Sequence, residues 1–245
     1  MMMRARCSTK MGKKIVLPVW FQFADRMIKK VLVATQNAHK VEEIQAILGT
    51  VLEVSGAASL GPGPEPEETG TTFEANARIK AEAWWDWIVK RSGGRPQFDA
   101  ILADDSGLEV DALGGAPGVH SARFAATTGH RGNSKDGDNN AKLLTLLGDV
   151  PIGSRKARFR CTLVLLPVTS AAEASNHGWV FEGTCEGRIA TTASGTGGFG
   201  YDPLFLPDGF ETSLATLGPT VKNRLSHRAK ALTLLAESVR SGMVF

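Results

Sequence analysis

No stretch of this 245-residue chain is apolar over anything near the ~18 residues that a membrane-spanning helix needs. The longest candidates, residues 16–23 and 161–168, are short and broken by proline or polar residues. Cysteine is scarce. Cys7, Cys161 and Cys185 are odd in number and lack metal-type spacing, which speaks against a disulfide scaffold and for a reduced, cytoplasmic chain. A basic body is lacking too. The net charge of +3 comes from the first 30 residues, which hold eight Lys or Arg and one acid, Asp25; the rest carries 20 bases and 24 acids. A nucleic-acid-binding surface on the body is therefore not expected, and neither nucleic acid nor membrane is expected as a partner.

Residues 1–26 are base-rich and acid-poor, as transit peptides are, but contain few Ser or Thr and no small-residue cleavage pattern. Met27-Ile28-Lys29-Lys30 leads straight into an apolar strand, so a leader that is disordered or lies before the natural start is the plainer reading, with organelle targeting left open. Residues 27–245 then form one domain of two lobes.

What is present is a mixture of strand and helix signals. A β-branched run at 31–34 leads into Thr35-Gln36-Asn37-Ala38-His39-Lys40 and then a helical pattern through Val41, Ile44, Ile47 and Leu48, stopped by Gly49. Residues 51–54 read as a second strand, and 61–70 (GPGPEPEETG) as an acidic, turn-rich loop. Thr71 or Thr72 can cap the next helix, and Thr71 with Glu74 fits a capping box. A short buried strand at 101–103 ends in Asp104-Asp105-Ser106-Gly107, with a further strand at 108–112. A helix at 139–147, β-rich stretches at 157–166 and 179–191, a glycine-dense loop at 195–200 and a final helix at 225–239 complete the chain. This predicts an α/β fold: an elongated mixed sheet with flanking helices, in two lobes with a cleft between them.

Four segments carry chemistry. In the first loop, backbone N–H groups at a helix N-terminus attract anions and Lys40 adds a point charge suited to phosphate; the plain alternative is an ordinary βα turn. Two consecutive aspartates at a strand end put carboxylates where α/β sheets bind ligands, and strand alternation turns them to opposite faces. An Asx turn closing the strand is the competing reading. In GTGGFGYD, glycines let backbone approach a ligand, and Phe199 and Tyr201 could stack on a base; a glycine-rich hairpin with core aromatics competes. Lys222, Ser226, His227 and Arg228 could hold phosphate or a purine edge.

Read together, ATQNAHKVEEI, EETGTTFEANARIKA, ADDSGLEVDALGGAPGVHSARF, ARFRCTLVL, GTGGFGYDPLF and SHRAKAL resemble, in order, the inosine/xanthosine triphosphate pyrophosphatases, the Ham1-like non-canonical purine NTP pyrophosphatases. The resemblance spans about residues 31–235. It implies hydrolysis of ITP, dITP and XTP to the monophosphate and pyrophosphate with Mg²⁺, cleansing the nucleotide pool, by a cytoplasmic homodimer. It assigns Asp105 as proton acceptor and metal ligand, and Glu67 as the other metal ligand with Glu68 as its less favoured neighbour. It places Thr35, Gln36, Asn37, Ala38, His39, Lys40 and Ser106 at the triphosphate or sugar. Phe199, Gly200, Tyr201, Asp202, Lys222, His227 and Arg228 fall around base and phosphates. Departures are Gln36 where the family has glycine, Ala125-Ala126 where a glycine usually follows, the polar insertion at 127–138, and three tryptophans, Trp84, Trp85 and Trp87, in one helix, which read as packing or a subunit contact.

Overall fold

The computed structural model describes residues 29–91, 97–127, 132–168 and 178–245. The leader at 1–26 and part of the insertion, 128–131, lie outside the described residues. Six strands, β1 (Lys30–Val33), β2 (Glu53–Gly56), β3 (Ala100–Val110), β4 (Lys156–Pro167), β5 (Trp179–Ile189) and β6 (Phe205–Pro207), form one sheet in the order β2-β1-β3-β4-β5-β6. β1 runs parallel to β2 and β3, while β3 to β6 are antiparallel neighbours, so the sheet is mixed, as expected. Helices α1 (Ala38–Leu48), α2 (Phe73–Arg91), α3 (Asp136–Leu146), α4 (Leu214–Leu225) and α5 (His227–Ser241) flank it. Among the described residues no helix is long and apolar enough to cross a membrane.

Strand alternation sorts the core. Val31, Val33, Ala100, Leu102, Leu163 and Leu165 face α1 and α5 in one cluster. Leu32, Ile101, Ala103, Val164 and Leu166 face the Trp84 side of α2 in another. A third cluster, built from Leu108, Val110, Phe159, Ile189, Phe205 and Leu143, forms around the other end of β3 and β4. Each fully buried Leu or Ile contributes about 1.5–3 kcal/mol. Along one face of β3, Ala100 and Leu102 belong to the first core and Leu108 and Val110 to the third. Asp104 and Ser106 occupy the interval. On the other face Asp105 follows Ile101 and Ala103 in the same way. At Asp104, Asp105 and Ser106 the strand turns polar on both sides.

Several boundaries differ from the sequence reading. β3 is one 11-residue strand, not two, because Asp104 through Gly107 keep their pairing with Leu163 through Arg160 of β4. The aspartates are strand-interior, and the strand survives because their carboxylates find buried cationic partners. Thr72 caps α2, its Oγ1 accepting the Ala75 N–H at 3.1 Å; Glu74 pairs instead with Arg78 (3.0 Å), so the Thr71–Glu74 box does not form. The final helix starts at His227, behind the cap Ser226, and α4 precedes it, broken at Gly218-Pro219. Trp84 is buried against Trp87 with ring centres 5.2 Å apart, and Trp85 and Trp87 are partly buried, in keeping with packing.

Candidate functional site

The first loop leaves the core at Thr35 and is closed by local bonds. Asn37 Oδ1 accepts the Lys40 N–H at 3.3 Å, and Thr35 Oγ1 accepts the Asn37 N–H at 3.1 Å. Gln36, Asn37, Ala38 and His39 are exposed along the N-terminal end of α1, whose first turn has no acid to offset the positive end of the helix dipole. Gln36 keeps a negative φ; Phe245 is the one non-glycine with positive φ among the described residues, so the family's glycine is not needed at this turn. Lys40 reaches inward to the Asp104 carboxylate.

The adjacent aspartates of β3 meet opposite surroundings. Asp104 is fully enclosed. Its carboxylate accepts from Lys40 Nζ, from Arg228 Nε (2.9 Å) and Nη2 (3.4 Å), from Ser106 Oγ (3.1 Å) and from the Cys161 thiol (3.1 Å). Burial alone would raise this carboxyl, but the Arg228 guanidinium and Lys40 ammonium overcome it and hold it well below the usual carboxylate range. Asp105 faces α2. Its Oδ1 accepts from Lys80 Nζ at 2.7 Å, while its Oδ2 is buried without a protein partner. Here burial outweighs Lys80, and the carboxyl is raised.

Lys80 Nζ also lies 2.9 Å from Glu68 Oε1 and donates to the Asp104 carbonyl at 3.2 Å. Burial would lower this lysine, yet Asp105 and Glu68 between them raise it, so it stays a cation. Arg123 holds Glu68 from the other side, Nη1 to Oε2 at 3.3 Å and Nη2 to the backbone carbonyl at 3.2 Å. Of the acidic loop's glutamates it is Glu68 that reaches Asp105 through Lys80; the Glu67 side chain is exposed.

A cavity of about 400 Å³ opens between α1, the glycine loop and α4, lined by His39, Glu43, Phe199, Pro219 and Lys222 among others. The Phe199 ring lies parallel to that of His39, with centres 5.8 Å apart, and Lys222 Nζ sits 4.5 Å over its face. Asp202 Oδ2 accepts both Lys222 Nζ (2.7 Å) and the Phe199 N–H (3.0 Å). Gly198 makes this possible: its φ is +74°, and a Cβ there would lie 2.0 Å from Asp202 Oδ2. Tyr201 does not line the cavity; it is buried and its hydroxyl donates to the Ser121 carbonyl at 2.8 Å. Glu43 of α1 pairs with Lys222 of α4 (2.7 Å) and with Arg228 of α5. His227 is buried and stacked on Phe159 at 4.8 Å; burial, then Arg228, push it well below its ordinary value, so it is neutral.

Thus Lys40, Ser106 and Arg228 meet at Asp104, and Glu43 links Arg228 to Lys222, Asp202 and Phe199, with His227 packed beside them, while Asp105 lies on the other face of β3 with Lys80 and Glu68. Lys80, Glu43, Arg123 and Cys161 were not singled out from the sequence. Lys80 had a readable signal: with Phe73, Asn76, Ala77, Ala81 and Trp84 it shares the buried stripe of α2, where an unpaired lysine would be costly.

The residues present fit a divalent cation that prefers oxygen. Asp105 has an orphaned buried carboxylate oxygen, and the Lys80 ammonium already sits between Asp105 and Glu68, so the pair holds positive charge. Among the described residues no group of three or more His, Cys, Asp or Glu could form an all-protein cage. Two carboxylates completed by substrate phosphates and water is the pattern Mg²⁺ adopts.

The Ham1 family model matches residues 31–238. A dITP/XTP pyrophosphatase of Methylococcus capsulatus is 45% identical over 217 residues, 88% of this chain and 98% of that protein. One of Geobacillus kaustophilus is 46% identical over 213 residues, 86% of this chain and 94% of its own. Among solved structures, the Ham1 protein of Staphylococcus aureus is similar with a TM-score of 0.70 and 35% identity, covering 87% of this chain and all of its own. That of Coxiella burnetii has a TM-score of 0.71 at 34% identity, covering 88% and 100%.

Proposed function

The chain belongs to the Ham1 family, and we propose that it hydrolyses deaminated purine nucleoside triphosphates, ITP, dITP and XTP, to the monophosphate and pyrophosphate. The observation that carries this is Asp105: a buried carboxylate, raised by its burial, whose Oδ1 is held by Lys80 and whose Oδ2 has no protein partner. A raised carboxyl is a stronger proton acceptor, and the unpaired Oδ2 is placed to take a proton from an attacking water. Lys80 fixes the other oxygen, so Asp105 is oriented before substrate arrives.

The exposed N-terminal end of α1 offers backbone donors to phosphate oxygens. Lys40, Lys222 and Arg228 supply positive charge along the cleft, each steadied by a buried acid, Asp104, Asp202 or Glu43. Phe199 offers a face on which a purine can stack, in a cavity of the right size class for a nucleoside. Glu68 and Asp105 would hold Mg²⁺, which when bound offsets phosphate charge and polarises water. Five cations, Lys40, Lys80, Arg123, Lys222 and Arg228, face five acids, Glu43, Glu68, Asp104, Asp105 and Asp202, so the empty charge balance is even and a triphosphate needs a cation of its own. We place Glu68, not Glu67, in the metal role because of its contact with Lys80.

A donor facing the 6-oxo position of hypoxanthine or xanthine would disfavour ATP, whose amino group leaves it unpaired. The reading takes the protein to be a cytoplasmic homodimer, which light scattering after size exclusion tests directly. The deciding experiment is a panel of ITP, XTP, dITP, GTP, ATP and dUTP with Mg²⁺, with the product identified. Pyrophosphate released fastest from ITP, dITP or XTP is expected; orthophosphate as product, or dUTP as the preferred substrate, would overturn the reading.

A further inference from the structure

Helix α3 hydrogen-bonds the glycine loop at Gly200. The Gly200 N–H donates to Asp136 Oδ2 at 2.6 Å, and Asn140 Nδ2 donates to the Gly200 carbonyl at 3.1 Å. Asp136 and Asn140 are four residues apart, so they project from one face of the helix and grip both polar groups of a single residue. Gly200 has φ +63° and stands between Phe199, which lines the cavity, and Tyr201, which is anchored in the core. The helix is itself fixed. Leu143 is buried, Asn139 Oδ1 accepts the Ala125 N–H at 2.8 Å, and Asn139 Nδ2 donates to the Ala122 carbonyl at 3.3 Å. Neither Asp136 nor Asn140 lines the cavity.

We infer that Asp136 and Asn140 are positioning residues for the base site: their clamp on Gly200 sets the angle of the Phe199 ring and thereby the affinity for the purine. The inference rests on the functional reading above. The bonds from Phe199 N–H to Asp202 and from Tyr201 to Ser121 pin the loop on either side of Gly200. The Gly200 peptide is held from α3, so releasing the clamp frees the turn that aims Phe199. The phosphate-facing groups on α1 and β3 are untouched by it. Loss should therefore fall on base binding and leave turnover of bound substrate alone.

The test compares Asn140→Asp, Asp136→Asn and the double variant Asp136→Ala/Asn140→Ala with wild type, all in the full chain. Asn140→Asp replaces the amide donor with an acceptor against the Gly200 carbonyl, whereas Asp136→Asn keeps an acceptor for the Gly200 N–H. Expected are a KM for ITP raised about tenfold in Asn140→Asp and in the double variant with kcat within about twofold, and near wild-type values for Asp136→Asn. Inhibition by inorganic triphosphate, which has no base, should be unchanged. Amide exchange at Gly200, followed by NMR, should quicken in the double variant. The inference is overturned if Asn140→Asp and the double variant keep wild-type KM, or if inorganic triphosphate weakens as much as ITP, or if Gly200 exchange is unaltered. A wild-type protein inert towards all deaminated purine triphosphates strikes the functional reading instead, and the exchange measurement still decides the clamp.

Discussion

Two adjacent carboxylates on β3, Asp104 and Asp105, meet opposite surroundings. Asp104 accepts from two cations, a hydroxyl and a thiol, and is held well below the usual range. Asp105 has one cation, one orphaned oxygen and a raised carboxyl. Strand alternation sends them to opposite faces, one towards Arg228 of α5 and the other towards Lys80 of α2. The lesson is that burial alone does not make a carboxylate reactive. The saturated one is a counter-ion that anchors Lys40 and Arg228, and the under-satisfied one keeps an oxygen with no protein partner.

The sharpest way to break this comparison is Asp105→Asn. Turnover should fall by about 10²–10⁴ with melting temperature unchanged or raised, read by pyrophosphate release and calorimetry. Near wild-type release would remove Asp105 from the reaction. Asp104→Asn should behave in the opposite manner and cost about 3–5 kcal/mol of stability, because Arg228 is left buried with too little countercharge. A denaturant midpoint equal to wild type would contradict the anchoring role. Next in size is the glutamate pair: Glu68→Gln should weaken apparent Mg²⁺ affinity by about 10–100-fold, while Glu67→Gln, on an exposed side chain, should leave it within twofold. The reverse ranking would return the metal role to Glu67.

The smallest effect is in pH. Asp104 is depressed on folding, so its contribution is present above the ordinary aspartate range and is lost as pH falls through its lower folded value. Asp105 is raised, so ionising it at neutral pH opposes folding, and that penalty lifts as pH falls through the raised value. The stability gap between wild type and Asp105→Asn should thus close at a higher pH than the gap for Asp104→Asn. Thermal melts of all three proteins from pH 7.5 downwards would show both gaps closing together if the two sites were alike.

Much of the site was legible because short-range chemistry governs it. The loop after β1 reads in the sequence as a helix N-terminus carrying a lysine, and Lys40 stands in the first turn of α1; the Asn37 cap is visible only in the structure. The alternation of Asp104 and Asp105 followed from strand geometry, although the strand was expected to stop there. Phe199 and Tyr201 could not be told apart from sequence, since adjacent glycines leave the direction of each ring to what surrounds it; Ser121, 80 residues earlier in the chain, accepts the tyrosine hydroxyl. Glu67 and Glu68 are likewise equivalent in an irregular loop until Lys80 and Arg123 take hold of the second. Helix α4 was missed because Gly218-Pro219 interrupts its pattern.

Most strands and helices, the polar run at 104–107 and the family follow from local patterns, because hydrophobic period and ordered motifs are local properties of the chain; the unbroken course of β3 through that run, α4 and β6 do not. Which carboxylate is saturated and which is left wanting was decided only in three dimensions. Arg228 meets Asp104 across 124 residues and Lys80 meets Asp105 across 25. The energy of a buried charge depends on partners that no local pattern can count.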